Sequence, residues 1–174
     1  IKFYEESLFI HRRLSHVDKE DIVIILYNLG FAYMESDQMT KSLYKFKECL
    51  VMEHSCANSA EKVDGIISTL KCIGRVYYSL GENENAINYY QKAVDLSLAD
   101  CLHANHGDIA QIFGIIGDIL LSSGEIKEAM KTFAKAINAN RLAGLEDMCN
   151  LSVKKEILMP LLKQNPNYAV ASSP

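Results

Sequence analysis

The sequence predicts an all-α protein made of repeated pairs of antiparallel helices. Three observations support this prediction. Apolar residues recur at the spacing of one helix face along most of the chain. A motif of large apolar residues followed by glycine recurs every 43 or 44 residues. Proline, which breaks helices internally, is absent before Pro160.

Residues 70–93 form the clearest copy of the repeated unit. The first helix has an apolar face with the spacing i, i+3, i+4, i+7, formed by Leu70, Ile73, Gly74 and Tyr77. Gly81 is expected to end that helix, because glycine adopts the left-handed turn conformation without steric cost. The core-facing residues of the second helix are Ala86, Tyr90, Ala93 and Val94. One such pair cannot bury its own apolar faces, which predicts neighbouring copies.

Copies of this unit lie on both sides of it. The glycine of the first helix recurs as Gly30, Gly74 and Gly117, at spacings of 44 and 43 residues. The aromatic residue of the second helix recurs at spacings of 42, 44 and 43 residues, as Tyr4, Phe46, Tyr90 and Phe133. Because Tyr4 has no first helix before it, residues 1–14 are expected to be the second helix of a truncated repeat. We therefore expect the chain to be part of a longer protein.

The helical periodicity defines seven helices and an eighth helical stretch. The predicted ranges are 1–14, 18–35, 39–54, 59–80, 83–99, 106–123, 126–140 and 145–163, the last interrupted by Pro160. Turns inside the repeats are expected at Ser36 and Asp37, at Gly81 and at Gly124. Asp37 replaces glycine in the first turn, which is tolerable because Asp enters the left-handed region more readily than most residues.

These elements predict six segments. After the truncated repeat at 1–14 come three repeats at 18–56, 57–103 and 104–143. Residues 144–165 are expected to form a capping or degenerate helix, because a terminal repeat element needs one polar face. Residues 166–174 are polar and contain proline, and we expect a flexible tail there.

Composition narrows the range of functions. With 174 residues, of which 49% are hydrophobic, the chain can bury a sizeable core. A net charge of −4 gives no electrostatic reason to expect nucleic acid, which requires clustered Lys and Arg. No apolar run approaches the ~18 residues needed to span a bilayer. Five scattered cysteines without a CxxC motif favour a reducing, cytoplasmic setting.

Neither catalysis nor metal binding is predicted. The sequence contains no GxSxG, HExxH or phosphate-binding loop. Cys101, His103 and His106 share one connector, and His54 and Cys56 lie in the preceding one. Their spacings match no familiar zinc motif, and a zinc site needs four converging ligands. We therefore predict no enzyme activity, no cofactor and no metal.

The repeated motif resembles the tetratricopeptide repeat. The segments NLGFAY, CIGRVYYSLG and IIGDILLSSG resemble the first helix and turn of that family, and NAINYYQKA and EAMKTFAKA resemble its second helix. The period is longer than the family's usual ~34 residues. In this respect the chain resembles the repeats of kinesin light chains and of LGN-type adaptors. The resemblance implies a right-handed superhelical solenoid whose concave face is lined by the first helices.

On that face, the positions beside the core stripe are the candidates for peptide binding. They are Tyr27, Asn28, Phe31, Lys71, Arg75, Tyr78, Gln111 and Asp118. The aromatic residues would supply apolar contact, and the two cations would pair with a carboxylate. In the alternative interpretation, the two aromatic residues of the first repeat pack against neighbouring helices, and the charged positions form a solvated face.

The same positions argue against one binding mode of the family. Chaperone-binding members hold a terminal carboxylate with Lys and Asn residues, which are replaced here by Tyr27, Phe31, Cys72, Gln111 and Ile115.

Three functions are open at this point. The first hypothesis is an adaptor or scaffold that binds a peptide or partner helix in the groove. The second is a structural segment that self-associates through the ends of the solenoid. RNA binding by a helical solenoid is the third and weakest, because it requires a basic concave face.

Overall fold

The computed structural model describes residues 1–13, 18–56, 61–99 and 105–144, with only the backbone described for Cys56, Glu61 and Lys62. Within these ranges all regular secondary structure is α-helical, which confirms the predicted all-α repeat fold. The seven helices are α1 (Lys2–His11), α2 (Lys19–Glu35), α3 (Met39–Cys56), α4 (Glu61–Ser79), α5 (Asn83–Ala99), α6 (His106–Ser122) and α7 (Ile126–Leu142). The chain divides into two compact units, Ile1–Leu96 and Ser97–Pro174, and the boundary lies in the last turn of α5.

In the first unit, consecutive helices pack against each other from α1 through α4. One core cluster joins α1, α2 and α3, and its buried residues are Leu8, Ile25, Leu26, Leu29, Tyr33 and Cys49. Helices α2 and α3 run antiparallel. The Ser42 hydroxyl donates to the Gly30 carbonyl at 2.8 Å, and further along the pair the Cys49 thiol donates to the Val23 carbonyl at 3.5 Å.

In the second unit, α6 and α7 form one closely packed helix pair. Helix α6 buries residues on most of its circumference, including Ile109, Ile112 and Ile119. Helix α7 contributes a narrower buried stripe, with Ala129, Phe133 and Ala136 fully buried. Gly117 and Phe133, which the sequence places at the repeated glycine and aromatic positions, are both buried.

The three repeats share one turn geometry. The residue at the centre of each turn has a positive φ, which is 57° at Asp37, 76° at Gly81 and 80° at Gly124. In each turn a backbone N–H bonds to the carbonyl five residues earlier, as in the bond from Glu82 to Tyr77 at 2.9 Å. This Schellman arrangement satisfies a carbonyl that the end of the helix would leave unpaired. The predicted turn positions, including the Asp at 37, are confirmed.

A glycine and an aromatic ring meet at the centre of each repeat. Phe46 lies directly against Gly30, and a Cβ atom added to this glycine would lie 2.7 Å from the ring. The same hypothetical atom on Gly74 would lie 3.1 Å from the ring of Tyr90. The third pair, Gly117 and Phe133, is tighter still. The sequence period therefore corresponds to a recurring close approach between two helices.

Three predictions lie outside the described residues: the helical stretch at 145–163, its interruption at Pro160 and the tail at 166–174. Among the described helices, none combines the length and the apolar character required to cross a membrane.

The glycine contacts predict a graded response to alanine. We expect Gly30→Ala to lower the free energy of unfolding by ~1–3 kcal/mol, because the added methyl group would overlap the buried Phe46 ring. Gly74→Ala is the matched comparison. Its contact with Tyr90 is looser, and alanine contributes ~0.5–1 kcal/mol of helix propensity, so we expect a change close to zero.

Urea denaturation followed by circular dichroism measures both variants. If Gly30→Ala were as stable as Gly74→Ala, the contact with Phe46 would not limit the approach of α2 and α3.

Candidate functional site

Six of the eight predicted binding residues lie on two helices of the first unit. Tyr27, Asn28 and Phe31 are on α2, and Lys71, Arg75 and Tyr78 are on α4. Gln111 and Asp118 are on α6 of the second unit, where both are exposed and lie two helical turns apart. The two groups are therefore described separately.

The aromatic residues of α2 belong to a packed cluster. The ring of Tyr27 lies 5.0 Å from that of Phe31, and both contact Phe46 edge-on, at 5.8 and 5.4 Å. Tyr27 and Phe31 are half-buried, and Phe46 is the ring that lies against Gly30. Their positions match the alternative interpretation, in which these side chains pack between helices.

The Tyr27 hydroxyl also joins α2 to α4. It accepts a hydrogen bond from the Cys72 thiol, with 3.7 Å between the sulfur and oxygen atoms. Burial raises the pKa of the Tyr27 hydroxyl above its ordinary value of 10, so this group stays neutral. Tyr27 therefore combines ring packing against α3 with a polar contact to α4.

The remaining residues of α4 are more accessible. Lys71 is half-buried, Arg75 is exposed, and 44% of the Tyr78 side chain is exposed to solvent. They follow the i, i+4, i+7 spacing of one helix face. Arg75 forms no ion pair with the described side chains. Burial raises the pKa of the neighbouring Tyr90 to about 12, and the positive charge of Arg75 opposes this rise.

A buried carboxyl group lies between α3 and α4, and it was not predicted from the sequence. Glu53 is only 7% exposed, and its Oε1 atom accepts a hydrogen bond from the Thr69 hydroxyl at 3.1 Å. Its Oε2 atom is buried without a hydrogen-bond partner among the described residues. Burial raises the pKa of Glu53, which favours the neutral acid.

The sequence contained a signal for this position. Phe46, Cys49 and Glu53 follow the i, i+3, i+7 spacing of one helix face, so Glu53 continues the buried stripe of α3. Gly65 leaves room for the carboxyl group, since a Cβ atom at that position would lie 3.0 Å from Glu53 Oε1.

Cys49 and Cys72 are both buried and are free thiols. The Cys49 thiol lies 3.8 Å from the Thr69 hydroxyl, and burial raises its pKa to about 12. Burial also raises the pKa of Cys72. Both thiols are therefore held in the protonated form, which is poorly nucleophilic.

Residues 65–141, which run from α4 through α7, match the family model of the tetratricopeptide repeat. Over this range the sequence is similar to tetratricopeptide repeats. The recurring glycine–aromatic pairs and the shared turns of the described repeats agree with this identification, and the resemblance predicted from the sequence is confirmed.

Comparison with the sequences of known proteins identifies a relative of this chain. Over 127 residues the chain is 28% identical to the Protein CTR9 homolog of Arabidopsis thaliana, covering 72% of this chain and 10% of that protein. The chain thus spans about a tenth of the length of this relative.

Solved structures share the fold at low sequence identity. The kinesin light chain TPR-like repeats of Podosopora anserina align with a TM-score of 0.68 at 12% identity, over 94% of this chain and 82% of theirs. The Rap conjugation gene regulator of plasmid pLS20, in complex with the Phr* peptide, aligns with a TM-score of 0.64 at 19% identity. That alignment covers 97% of this chain and 44% of the regulator.

The contrast between α2 and α4 predicts two different mutational effects. We expect Phe31→Ala to lower the free energy of unfolding by ~2–3 kcal/mol, because it removes a ring that packs against Phe46. Tyr78→Ala should change it by less than ~1 kcal/mol, since Tyr78 is already 44% exposed to solvent. Chemical denaturation compares the two variants. Equal losses would mean that Tyr78 is also a packing residue.

Glu53 predicts a pH dependence of stability. Its folded pKa lies above the ordinary value of 4.5, so its contribution to stability is fully present below pH 4.5 and is lost as the pH rises through the folded pKa. Glu53→Gln imitates the neutral acid and keeps an acceptor for Thr69. We therefore expect the variant to gain stability relative to the wild type as the pH rises.

Denaturation curves between about pH 4 and pH 8 measure this difference. Glu48→Gln is a comparison on the same helix, with a carboxyl group that is ion-paired and more accessible. A constant difference between wild type and Glu53→Gln across this range would contradict the prediction.

Proposed function

We propose that this chain is a protein-interaction module that binds a protein or peptide segment through the exposed face of α4. The proposal is supported by one observation above all: Arg75 and Tyr78 are adjacent on that face, are exposed, and rest on a buried stripe that fixes the helix. The partner would be recognised by shape and charge on a preformed surface, without chemistry and without a cofactor.

Each side chain has a distinct role in this proposal. Tyr78 offers a flat apolar surface with few torsions to immobilise on binding. Arg75 can pair with a carboxylate through two parallel N–H···O bonds, and Lys71 adds positive charge one turn earlier. The expected partner segment therefore carries an acidic residue close to an apolar one.

The other predicted residues have secondary roles in the proposal. Tyr27 and Phe31 hold the wall of the surface through their packing with Phe46. Asn28 is half-buried beside them and would add a hydrogen-bonding side chain. In the second unit, Gln111 and Asp118 would offer polar contacts of their own.

The comparisons support binding in a general way. The Rap regulator is a helical-repeat structure in complex with a peptide, and its fold is similar to that of this chain. By analogy, we propose peptide or protein binding here, in a reducing cytoplasmic compartment where the buried thiols of Cys49 and Cys72 remain unpaired.

A second candidate function is self-association as a structural segment. It is favoured by the apolar residues that α1 exposes: Phe3 is 77% exposed, Phe9 59% and Ile10 54%. Light scattering over a range of protein concentrations tests this alternative. A mass that stays monomeric up to high concentration would rule it out.

Pull-down from a cell extract, followed by affinity measurement with the captured partner, tests the first proposal. We expect Arg75→Glu to weaken partner binding by tenfold or more, since one charged hydrogen-bonded contact contributes ~1.5–3 kcal/mol. Tyr78→Ala should weaken it through lost apolar contact. The helical content of both variants should be unchanged, because both residues are exposed.

Two matched controls belong to this experiment. Tyr44→Ala removes another exposed tyrosine, on α3, and Arg141→Glu reverses another exposed arginine, on α7. Both controls should bind the partner as the wild type does. Wild-type affinity in Arg75→Glu and in Tyr78→Ala would disprove the proposed binding face.

A further inference from the structure

A cavity of about 330 Å³ opens between α1, α2 and α3, and the proposed binding face does not include it. Its apolar lining consists of the exposed Phe9 and the buried Leu8, Leu29 and Tyr33. Its volume lies at the lower end of the range of small-ligand pockets, which suits one large apolar side chain. We name it the α1 groove.

Three cations border the α1 groove: Arg12, Arg13 and Lys45. Arg12 and Lys45 share a single carboxylate. Arg12 pairs with Glu48 Oε1, and Lys45 Nζ lies 3.2 Å from Glu48 Oε2. The guanidinium of Arg13 lies over the ring of Phe9, 4.7 Å from its centroid. These three cations could pair with more carboxylates than the described residues around the groove supply.

The carboxylate of Glu5, which lines the groove, already has a hydrogen-bond partner. Glu5 Oε1 accepts a hydrogen bond from the Tyr33 hydroxyl. Burial lowers the pKa of Lys45, the positive charge of Arg12 lowers it further, and the charge of Glu5 opposes this shift. The positive charges of Arg12 and Lys45 therefore repel each other, and a bound anion would reduce that repulsion.

We propose that the α1 groove binds an acidic peptide segment that presents a carboxylate next to a large apolar side chain. The apolar side chain would pack mainly against the exposed ring of Phe9, beside the slightly exposed Leu8 and Tyr33, and the carboxylate would be the second acceptor for Arg12 and Lys45. The exposed ring of Phe9 extends the apolar surface at the edge of the groove.

The α1 groove is distinct from the proposed binding face. Its α2 residues are Leu29 and Tyr33, which lie on the core stripe, whereas Tyr27 and Phe31 lie on the adjoining stripe. The inference therefore does not rest on the proposed function, and the two can fail separately.

Three matched probes test the proposal by NMR titration of the ¹⁵N-labelled chain. The first is 4-phenylbutyrate, which joins a carboxylate to an apolar ring. The others are 4-phenylbutanol, which is neutral, and 4-phenylbutylamine, which is cationic. We expect the acid to shift amide signals of α1 and of α3 near Lys45. The acid should bind at least about fivefold more tightly than the alcohol, and its affinity should fall as the salt concentration rises.

Substitution of Lys45 separates charge from packing. Lys45→Met keeps an apolar stem and removes the charge. We expect this substitution to weaken binding of the acid about fivefold and to leave binding of the alcohol unchanged. Lys131→Met on α7 is the control, and it should not alter binding of the acid.

Three outcomes would overturn the proposal. Equal affinities of the acid and the alcohol would show that charge has no role. An unchanged affinity of the acid for the Lys45→Met variant would show that the acid binds at another site. Amide shifts in α1 that appear on raising the protein concentration, without any probe, would show that a second copy of the chain covers the groove instead.

Discussion

The three described repeats depend on the close approach of a glycine in the first helix to an aromatic ring in the second. Gly30, Gly74 and Gly117 have no side chain at the point where the helices meet, and Phe46, Tyr90 and Phe133 occupy that space. Interiors are packed at crystal-like density, so a methyl group at Gly30 or Gly117 must displace a ring or separate the helices, whereas at Gly74 a small shift of Tyr90 is enough. The period of 43 or 44 residues in the sequence is the spacing between successive contacts of this kind.

The same contact determines which residues remain available for binding. In the first repeat the rings of Tyr27 and Phe31 contact Phe46, so both belong to the packing between α2 and α3. In the second repeat Arg75 and Tyr78 stay exposed on α4. Equivalent positions in successive repeats therefore differ in exposure, because the aromatic side chains of the first repeat pack against Phe46 and the charged residues of the second stay on the surface. This difference is why the proposal centres on α4.

Much of the fold followed from the sequence, because periodicity and turn residues are local signals. The helix ranges, the buried stripes and the turns at Asp37, Gly81 and Gly124 depend on neighbours within a few residues. The buried carboxyl group of Glu53 and the α1 groove depend on contacts between residues far apart in the chain. Tyr33 and Glu5, for example, are 28 residues apart and become partners only when α1 packs on α2. A binding partner would leave no comparable local signal, since exposed side chains such as Arg75 and Tyr78 are not required by the fold.

The coupling energy between Gly30 and Phe46 is the most direct measure of the contact on which the repeats depend. It is obtained from urea denaturation of the wild type, Gly30→Ala, Phe46→Leu and the double variant. The smaller leucine side chain leaves room for the alanine methyl group, so the double variant should be more stable than the sum of the single changes by ~1 kcal/mol or more. Additive effects, within ~0.3–0.5 kcal/mol, would show that the glycine is not needed to accommodate the ring and would contradict the central role of this contact.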